Sequence, residues 1–350
     1  MNVLVTGGAG FIGSHLAGRL LAENNRVSIF DDLNDFYDPS FKSANLASLR
    51  RGAQPVFHEG DICDWARIRE VVERDRPEVI VHLAARAGVR PSLEQPQLYE
   101  RVNVGGTVNL LEAARLYGVR KFVFASSSSV YGASDVTPFR EDSGANLPIS
   151  PYAATKIAGE KLCYTWSHLY GIDVVCLRFF TVYGPRQRPD LAIRKFTTMI
   201  DHGQTIPVFG DGSTSRDYTF VDDIVSGIRA AIDLPCRYEI FNLGNSSPVP
   251  LTRLISVIEE ALEVKARIKR LPDQPGDVPI TYADISKAQR MLGYLPHTPL
   301  EEGIRRFVAW YRTVPNSPST NASVAAATLL PSFEPSNSSG ESKPTVPAGT

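Results

Sequence analysis

Cysteine, methionine and tryptophan are scarce: the 350 residues include 4 Cys, 3 Met and 3 Trp. The cysteines lie far apart and form no C-x-x-C pair, which excludes a zinc knuckle and argues against a disulfide framework. We therefore expect no metal site and a reducing, cytoplasmic location. The apolar N-terminus lacks a basic n-region and is interrupted by glycines, so a strand is expected there rather than a signal peptide.

Net charge is also nearly absent, with a formal value of -1. Without a basic stripe, nucleic acid is not an expected partner. The sequence has no apolar run of about 18 residues, so it offers no candidate for a membrane span and no membrane partner is expected. Hydrophobic residues make up 43% and charged residues 21%, which is typical of a globular enzyme with one large core or two smaller ones.

Apolar runs of strand length alternate with amphipathic stretches of helical length in the first half of the chain. Strand examples are NVLVTG, RVSIFDD and EVIVHLAA, and helix examples are GSHLAGRLLAE and WARIREVVERD. Continuously apolar strands, each followed by a helix, indicate a parallel sheet covered on both faces. We therefore predict an α/β fold with a Rossmann-type, doubly wound parallel sheet.

The pattern changes after about residue 180. We predict a dinucleotide-binding Rossmann domain over 1–180 and a smaller C-terminal α/β substrate-binding domain over 181–313. The segment YEIFNLG predicts a strand near 237–243 that returns to the main sheet. Residues 314–350 are rich in Pro, Ser and Thr, and this composition is typical of a disordered tail.

A glycine pattern follows the first strand and opens the first helix, in VLVTGGAGFIGSHL. The glycines fit two patterns, Gly7-x-x-Gly10-x-x-Gly13 and Gly8-x-Gly10-x-x-Gly13. Asp31 ends the next strand about 20 residues later. Glycines let the backbone approach a pyrophosphate at the helix N-terminus. A carboxylate at position 31 accepts from ribose hydroxyls and repels a 2′-phosphate, so the sequence favours NAD over NADP.

Further cofactor contacts are expected where the third and fourth strands end, because ligands bind at the carboxyl edge of such sheets. HEGDICD supplies residues to flank the adenine, and HLAA supplies small residues along the dinucleotide. The residues predicted to bind the cofactor are Gly7, Gly10, Phe11, Ile12, Gly13, Asp31, Asp32, Asp61, Ile62, Leu83, Ala84, Ala85, Asn103, Tyr152 and Lys156.

Tyr152 and Lys156 in SPYAATKIAGEKL are four residues apart, and Ser150-Pro151 predicts the start of their helix. A tyrosine and a lysine so spaced are more often surface neighbours than a catalytic pair. The chemical interpretation is that an ammonium and a positive nicotinamide favour the phenolate of a tyrosine. Such a base could take a proton from a sugar hydroxyl as hydride leaves the same carbon.

With TGGAGFIGSH, SSVYG and SPYAATK in this order, the sequence resembles the extended short-chain dehydrogenase/reductase family of nucleotide-sugar epimerases and dehydratases, over about residues 1–313. The resemblance implies tightly held NAD and a catalytic set of Ser127, Tyr152 and Lys156. Tyr152 would be the acid/base, and Lys156 would bind the nicotinamide ribose and lower the pKa of the tyrosine. A homodimer formed by the helices around 108–117 and 153–168 is also implied.

The residues after Ser127 favour one reaction within that family. The related sugar 4,6-dehydratases carry an Asp-Glu pair where this sequence has Ser128 and Ser129. Hydroxyl groups cannot supply the carboxylate acid/base chemistry of dehydration. A 4-epimerase needs only oxidation at C4, rotation of the ketone and return of the hydride, so we favour an epimerase.

The later motifs RFFTVYGPRQRPDLAIRKF and FGDGSTSRDYTFVDDIV most resemble UDP-glucuronate 4-epimerases, which implies a UDP-sugar as substrate. Thr181 replaces the asparagine usual in galactose-type enzymes, and Arg188 is expected within reach of a C5 carboxylate. Arg216 matches a diphosphate-binding arginine of the family. The residues predicted to bind the substrate are Ser128, Ser129, Thr181, Arg188, Val208, Phe209, Arg216, Gln274 and Asp277.

Arg86 departs from this group, which usually has glutamine there, and the arginine form occurs in some UDP-glucose 4-epimerases. A UDP-glucose or UDP-N-acetylhexosamine 4-epimerase is therefore the alternative. A non-catalytic dinucleotide-sensing regulator is a third hypothesis, but such a protein would be expected to have lost Tyr152 or Lys156. The preferred hypothesis is NAD-dependent conversion of UDP-glucuronate to UDP-galacturonate.

Overall fold

The structure is a computed structural model that describes residues 1–49, 54–134, 136–143, 147–272 and 278–314. The strands are β1 (Asn2–Thr6), β2 (Arg26–Asp31), β3 (Val56–Glu59), β4 (Val79–His82), β5 (Lys121–Ser127), β6 (Asp173–Phe179), β7 (Thr181–Tyr183), β8 (Thr205–Phe209), β9 (Ser215–Phe220), β10 (Tyr238–Leu243), β11 (Pro248–Pro250) and β12 (Arg267–Leu271). The helices are α1 (Phe11–Ala22), α2 (Pro39–Leu49), α3 (Trp65–Asp75), α4 (Val89–Glu94), α5 (Pro96–Glu100), α6 (Gly106–Tyr117), α7 (Pro151–Tyr170), α8 (Ala192–Asp201), α9 (Val221–Asp233), α10 (Leu251–Leu262), α11 (Ser286–Leu292) and α12 (Leu300–Tyr311). A π-helical segment, Arg101–Gly105, precedes α6, and a 3-10 turn, Ser128–Tyr131, follows β5.

The main sheet, within the described residues, has seven strands in the order β10-β6-β5-β4-β1-β2-β3. Every neighbouring pair in it is parallel. β10 pairs with β6, so the segment that contains YEIFNLG lies at one edge of the sheet. A three-stranded sheet contains β11, β9 and β7 in that order, and a two-stranded sheet pairs β12 with β8. The predicted Rossmann-type α/β fold is confirmed.

Side chains of β1 show why both faces of this sheet are covered. Val3 and Val5 belong to one buried apolar cluster, whereas Leu4 belongs to another. Successive residues of a strand point to opposite faces. Each face of the sheet therefore packs against its own apolar layer, which is the arrangement that continuously apolar parallel strands require.

The chain from Met1 to Val314 forms one unit by its internal contacts, and the division into two domains near residue 180 stays a prediction. The predicted disordered tail, apart from Val314, lies outside the described residues. Among the described helices, none is long and apolar enough to cross a membrane.

Candidate active site

The turn between β1 and α1 presents backbone to a cleft at the edge of the sheet. Gly7 has φ +68°, and a Cβ there would lie 2.7 Å from the backbone nitrogen of Ala84 and 2.9 Å from the carbonyl carbon of Leu83. Gly10 caps α1 without a side-chain hydrogen bond. The first N–H groups of a helix lack intrahelical partners and attract anions. The turn is therefore suited to a pyrophosphate.

Asp31, at the end of β2, is buried and holds this turn. Its Oδ2 accepts from the N–H of Ala9 at 3.1 Å, and its Oδ1 accepts from the N–H of Leu33 at 3.0 Å. Lys42 Nζ, on α2, donates to Asp31 Oδ1 at 3.0 Å and lies 3.4 Å from Asp32 Oδ1. The sequence analysis missed Lys42, whose ammonium offsets part of the negative charge expected at this site.

A cleft of about 360 Å³ opens where β1, β2, β4 and β5 end, and we call it the central cleft. In doubly wound sheets this carboxyl edge is where ligands bind. Most residues predicted from the sequence line it: Gly7, Gly10, Phe11, Ile12, Gly13, Asp31, Asp32, Asp61, Ile62, Leu83, Ala84, Ala85, Ser127, Tyr152, Lys156, Thr181 and Arg188.

Asn103 lies behind the wall of the central cleft rather than in its lining. Its side-chain carbonyl accepts from the N–H of Arg86 at 2.8 Å, and its amide donates to the Arg86 carbonyl and to Thr155 Oγ1, both at 3.0 Å. These bonds join the segment after β4 to α7. The polar atoms of Asn103 thus bind protein groups and position Arg86, and a direct contact with the cofactor stays a prediction.

Five described residues that were predicted to bind the substrate do not line the central cleft: Ser128, Ser129, Val208, Phe209 and Arg216. Val208 is 2% exposed and packs in the core, so its side chain has little surface to offer a ligand. Phe209 lies under the guanidinium of Arg90, whose central carbon is 5.4 Å from the ring centre. Arg216 is on β9, and its substrate role stays a prediction. Two further predictions, Gln274 and Asp277, lie outside the described residues.

Helix α7 begins where the sequence indicated. Ser150 is its N-cap, with Oγ accepting from the N–H of Ala153 at 3.2 Å, and Pro151 occupies the first turn. Proline fits that position because its missing N–H would have no intrahelical partner. The cap fixes the start of the helix, and therefore the place of Tyr152 one residue into it.

Lys156 is buried one turn further along α7. Its Nζ donates to the carbonyl of Ala125 on β5 at 2.8 Å and lies 5.8 Å from the centre of the Tyr152 ring. Burial lowers the pKa of Lys156 to about 8, because a charged ammonium is poorly solvated there. The lysine is thus anchored to the strand that carries Ser127.

The pKa of Tyr152 depends on its burial and on two neighbouring groups. Burial raises the pKa of Tyr152, and a hydrogen bond with Ser127 and the positive charge of Arg188 oppose this rise. The expected effect of Lys156 on the pKa of Tyr152 stays a prediction.

The serine run forms the end of β5 and a tight turn. Ser127 Oγ accepts from the N–H of Ser129 at 3.2 Å and from its hydroxyl at 2.9 Å. These donors leave the Ser127 proton free to be donated to a phenolate. Ser128 and Ser129 are half-buried outside the lining of the central cleft, and their contact with a sugar stays a prediction.

Two arginines meet in the central cleft on the ring of Phe36, in the loop after β2. Arg188 donates from Nε and Nη2 to Asp190 at 3.0 and 2.7 Å, and its central carbon lies 5.2 Å from the centre of the Phe36 ring. The central carbon of Arg86 lies 5.7 Å from the same ring centre. Phe36 was not predicted, because its loop has no periodic pattern.

Comparison with known proteins agrees with this geometry. The family model described as GDP-mannose 4,6 dehydratase matches residues 4–307, so the chain belongs to this family of extended short-chain dehydrogenase/reductases. A UDP-glucuronate 4-epimerase from Thermodesulfobacterium geofontis is 44% identical over 308 residues, which cover 88% of this chain and 95% of that protein.

Two solved structures are similar over 89% of this chain and 99% of theirs. One is UDP-glucuronic acid 4-epimerase from Bacillus cereus in complex with UDP-glucuronic acid and NAD, with a TM-score of 0.84 and 35% identity. The other is UDP-glucose 4-epimerase from Thermotoga maritima with UDP-glucose, with a TM-score of 0.83 and 34% identity.

Proposed function

We propose that this protein is an NAD-dependent UDP-glucuronate 4-epimerase, which converts UDP-glucuronate to UDP-galacturonate through a transient 4-keto sugar. The observation that carries the proposal is that Ser127, Tyr152, Thr181 and Arg188 line one cleft. The Thermodesulfobacterium geofontis relative and the Bacillus cereus structure support it.

The central cleft fits NAD in three respects. The Gly7 turn leaves backbone space that a Cβ would fill, and the start of α1 offers N–H groups to a pyrophosphate. Asp31 Oδ2 accepts a hydrogen bond from the N–H of Ala9 and retains a lone pair for a ribose hydroxyl. NAD supplies a reversible hydride acceptor for C4 of the sugar.

Tyr152 is the acid/base of the proposed reaction. Its phenolate takes the proton from O4 as the C4–H bond breaks, and the phenol returns that proton when C4 is reduced on its other face. Ser127 donates a hydrogen bond to the phenolate and relays the proton. The positive charge of Arg188 favours the phenolate. Lys156, fixed by the Ala125 carbonyl, orients the nicotinamide ribose.

Arg188 and Thr181 would bind the C5 carboxylate of the sugar. The two bonds to Asp190 use two of the five N–H donors of the Arg188 guanidinium. The remaining donors allow a second carboxylate to be bound without loss of the first. Charge-assisted bonds of this kind are about twice as strong as neutral ones.

Dehydration is disfavoured, although the family description names a dehydratase. Within the described residues, the acids that line the central cleft are Asp31, Asp32 and Asp61. They lie at the ends of the second and third strands, where the adenosine is expected. In the described part of the chain, no carboxylate thus lines the central cleft beside Tyr152 to protonate a leaving hydroxyl.

A substrate assay with matched variants tests the proposal. The protein is incubated separately with UDP-glucuronate, UDP-glucose and UDP-N-acetylglucosamine, and each C4 epimer is measured by chromatography. We expect conversion of UDP-glucuronate, and a loss of about 100- to 10,000-fold in Tyr152→Phe with NAD still bound. Tyr164→Phe, on the same helix but outside the central cleft, is the control.

Conversion of UDP-glucose without conversion of UDP-glucuronate would instead support the alternative epimerase. The similarity to the Thermotoga maritima enzyme favours that second candidate. Normal turnover by Tyr152→Phe would refute the acid/base assignment.

We also propose a homodimer formed by α6 and α7. Large apolar side chains on these helices remain about half exposed: Leu116 at 48%, Tyr164 at 51%, Leu169 at 60% and Tyr170 at 49%. A cytoplasmic location is proposed from the cysteines, all four of which are free.

A further inference from the structure

We propose that Arg86 is a second arginine that binds the C5 carboxylate of the substrate and thereby determines specificity for uronic acid sugars. This inference rests on the proposed function. It gives a role in that function to a residue that, from the sequence alone, indicated a UDP-glucose 4-epimerase as the alternative.

The backbone of Arg86 is fixed relative to the catalytic helix. Asn103 binds both its N–H and its carbonyl, and also binds Thr155 Oγ1. Thr155 Oγ1 in turn donates to the carbonyl of Tyr152 at 2.8 Å. A short chain of hydrogen bonds thus holds Arg86 in register with Tyr152, as a specificity residue requires.

The guanidinium of Arg86 lines the central cleft without an acidic partner. In the described parts of the chain it forms no ion pair or side-chain hydrogen bond, and its contact is with the Phe36 ring. Arg188, by contrast, is paired with Asp190 on the same ring. A cation placed in a cleft with no carboxylate beside it favours an anionic ligand.

Two observations place this charge on the Tyr152 side of the central cleft. Burial raises the pKa of Tyr99 to about 12, and the charges of Arg188 and Arg86 both oppose that rise. The ring of Tyr99 meets the ring of Tyr152 edge to face, with 6.2 Å between centres. The charge of Arg188 therefore acts on Tyr152 itself, and the charge of Arg86 acts on the neighbouring Tyr99.

The carboxylate is the anion that this position favours. C5 is bonded to C4, where Tyr152 acts, so the carboxylate lies one carbon from the reacting centre. The pyrophosphate of the dinucleotide already has its own site at the start of α1. Arg86 and Arg188 would approach the carboxylate from their common platform on Phe36, while a neutral hydroxymethyl group would leave Arg86 without an ionic partner.

Steady-state kinetics of Arg86→Gln and Arg86→Lys test the proposal. Each variant is assayed with UDP-glucuronate, and UDP-glucose is measured as a competitive inhibitor. We expect Arg86→Gln to raise KM for UDP-glucuronate about 10- to 100-fold, with kcat and inhibition by UDP-glucose little changed. Arg86→Lys should recover part of the loss. Arg305→Gln, an exposed change on α12, is the matched control.

Equal weakening of UDP-glucuronate and UDP-glucose by Arg86→Gln would overturn the proposal, because the contact would then be with the diphosphate or with Phe36 alone. Loss of bound NAD, or unchanged KM, would overturn it as well. Thermal unfolding of both variants checks that they fold. A wild-type protein that does not convert UDP-glucuronate refutes the proposed function itself, whereas normal conversion with an unaffected Arg86→Gln refutes only the role of Arg86.

Discussion

Electrostatic control of the Tyr152 phenol is the property of single residues that matters most for the proposed chemistry. Burial raises its pKa, and Ser127 and Arg188 oppose the rise. Burial destabilises the phenolate, so the base depends on neighbouring groups that stabilise its charged form. A change in one of those neighbours should move the pH dependence of turnover.

Arg188→Gln is expected to shift the acidic limb of the kcat/KM profile for UDP-glucuronate to higher pH. Removing the positive charge makes the phenolate less stable, so the pKa of Tyr152 rises and more alkaline solution is needed to form the base. The limb positions are measured from initial rates across pH, with Arg305→Gln as control. An acidic limb that stays or moves to lower pH contradicts the assignment.

Residues that act through local spacing were predicted from the sequence, whereas those that act across the fold were not. The glycines of the first turn and the Tyr152/Lys156 pair are read from positions a few residues apart. Lys42 and Phe36 reach the central cleft from a helix and a loop with no apolar pattern. The effect of Arg188 on Tyr152 depends on tertiary contact between distant segments, which spacing alone does not encode.

The turn from β1 to α1 offers a test at the level of one element. Gly7→Ala is expected to lower the free energy of unfolding by more than Gly118→Ala, and to reduce the NAD content of the purified protein. Both glycines have positive φ, but a Cβ at Gly118 meets nothing within 4 Å, whereas at Gly7 it meets the Ala84 backbone at 2.7 Å. Strain in φ costs about 1–2 kcal/mol at either site.

Thermal unfolding and cofactor absorbance of the two variants provide the measurement. Both variants carry the strain in φ. The difference in stability between them therefore measures the cost of the close contact between position 7 and the backbone of Ala84. Equal stability and equal NAD content in both variants would show that the close approach of the two backbones is not needed.

Two helices explain why some elements were found from sequence and others were missed. α3 buries Ile68, Val71 and Val72, and this apolar spacing predicted its bounds correctly. α2 buries Lys42, Asn45, Leu46 and Leu49, so two of its four inward positions are polar. The apolar period is therefore broken, because these two side chains bind Asp31 and the Ala9 carbonyl.

The proposed homodimer concerns the whole molecule and rests on the exposed apolar side chains of α6 and α7. Leu169→Asp, on α7, is expected to shift the protein from a dimer of 38.4 kDa chains toward monomer, because a charge replaces an apolar side chain in the proposed interface. Light scattering coupled to size exclusion measures the mass. Leu295→Asp is the control, since that leucine is 65% exposed and lies on neither α6 nor α7. A monomeric wild type, or a Leu169→Asp dimer as stable as the wild type, contradicts the interface.

The central sheet was predictable as a whole because its strands are continuously apolar and alternate with helices. The smaller sheets were not predicted. β11 has three residues, two of them proline, and β12 is mostly exposed, so neither carries an apolar pattern. Their partners, β9 and β8, are distant in the sequence, and such pairings depend on the completed fold.

In the proposed reaction, hydride leaves C4 of UDP-glucuronate and returns to the same carbon on its other face. The most direct test is incubation of the purified protein with UDP-glucuronate in deuterium oxide, followed by proton NMR of the sugar. We predict UDP-galacturonate with no deuterium on carbon, because the hydride never exchanges with solvent. Deuterium at C5, or no C4 epimer at all, would contradict it.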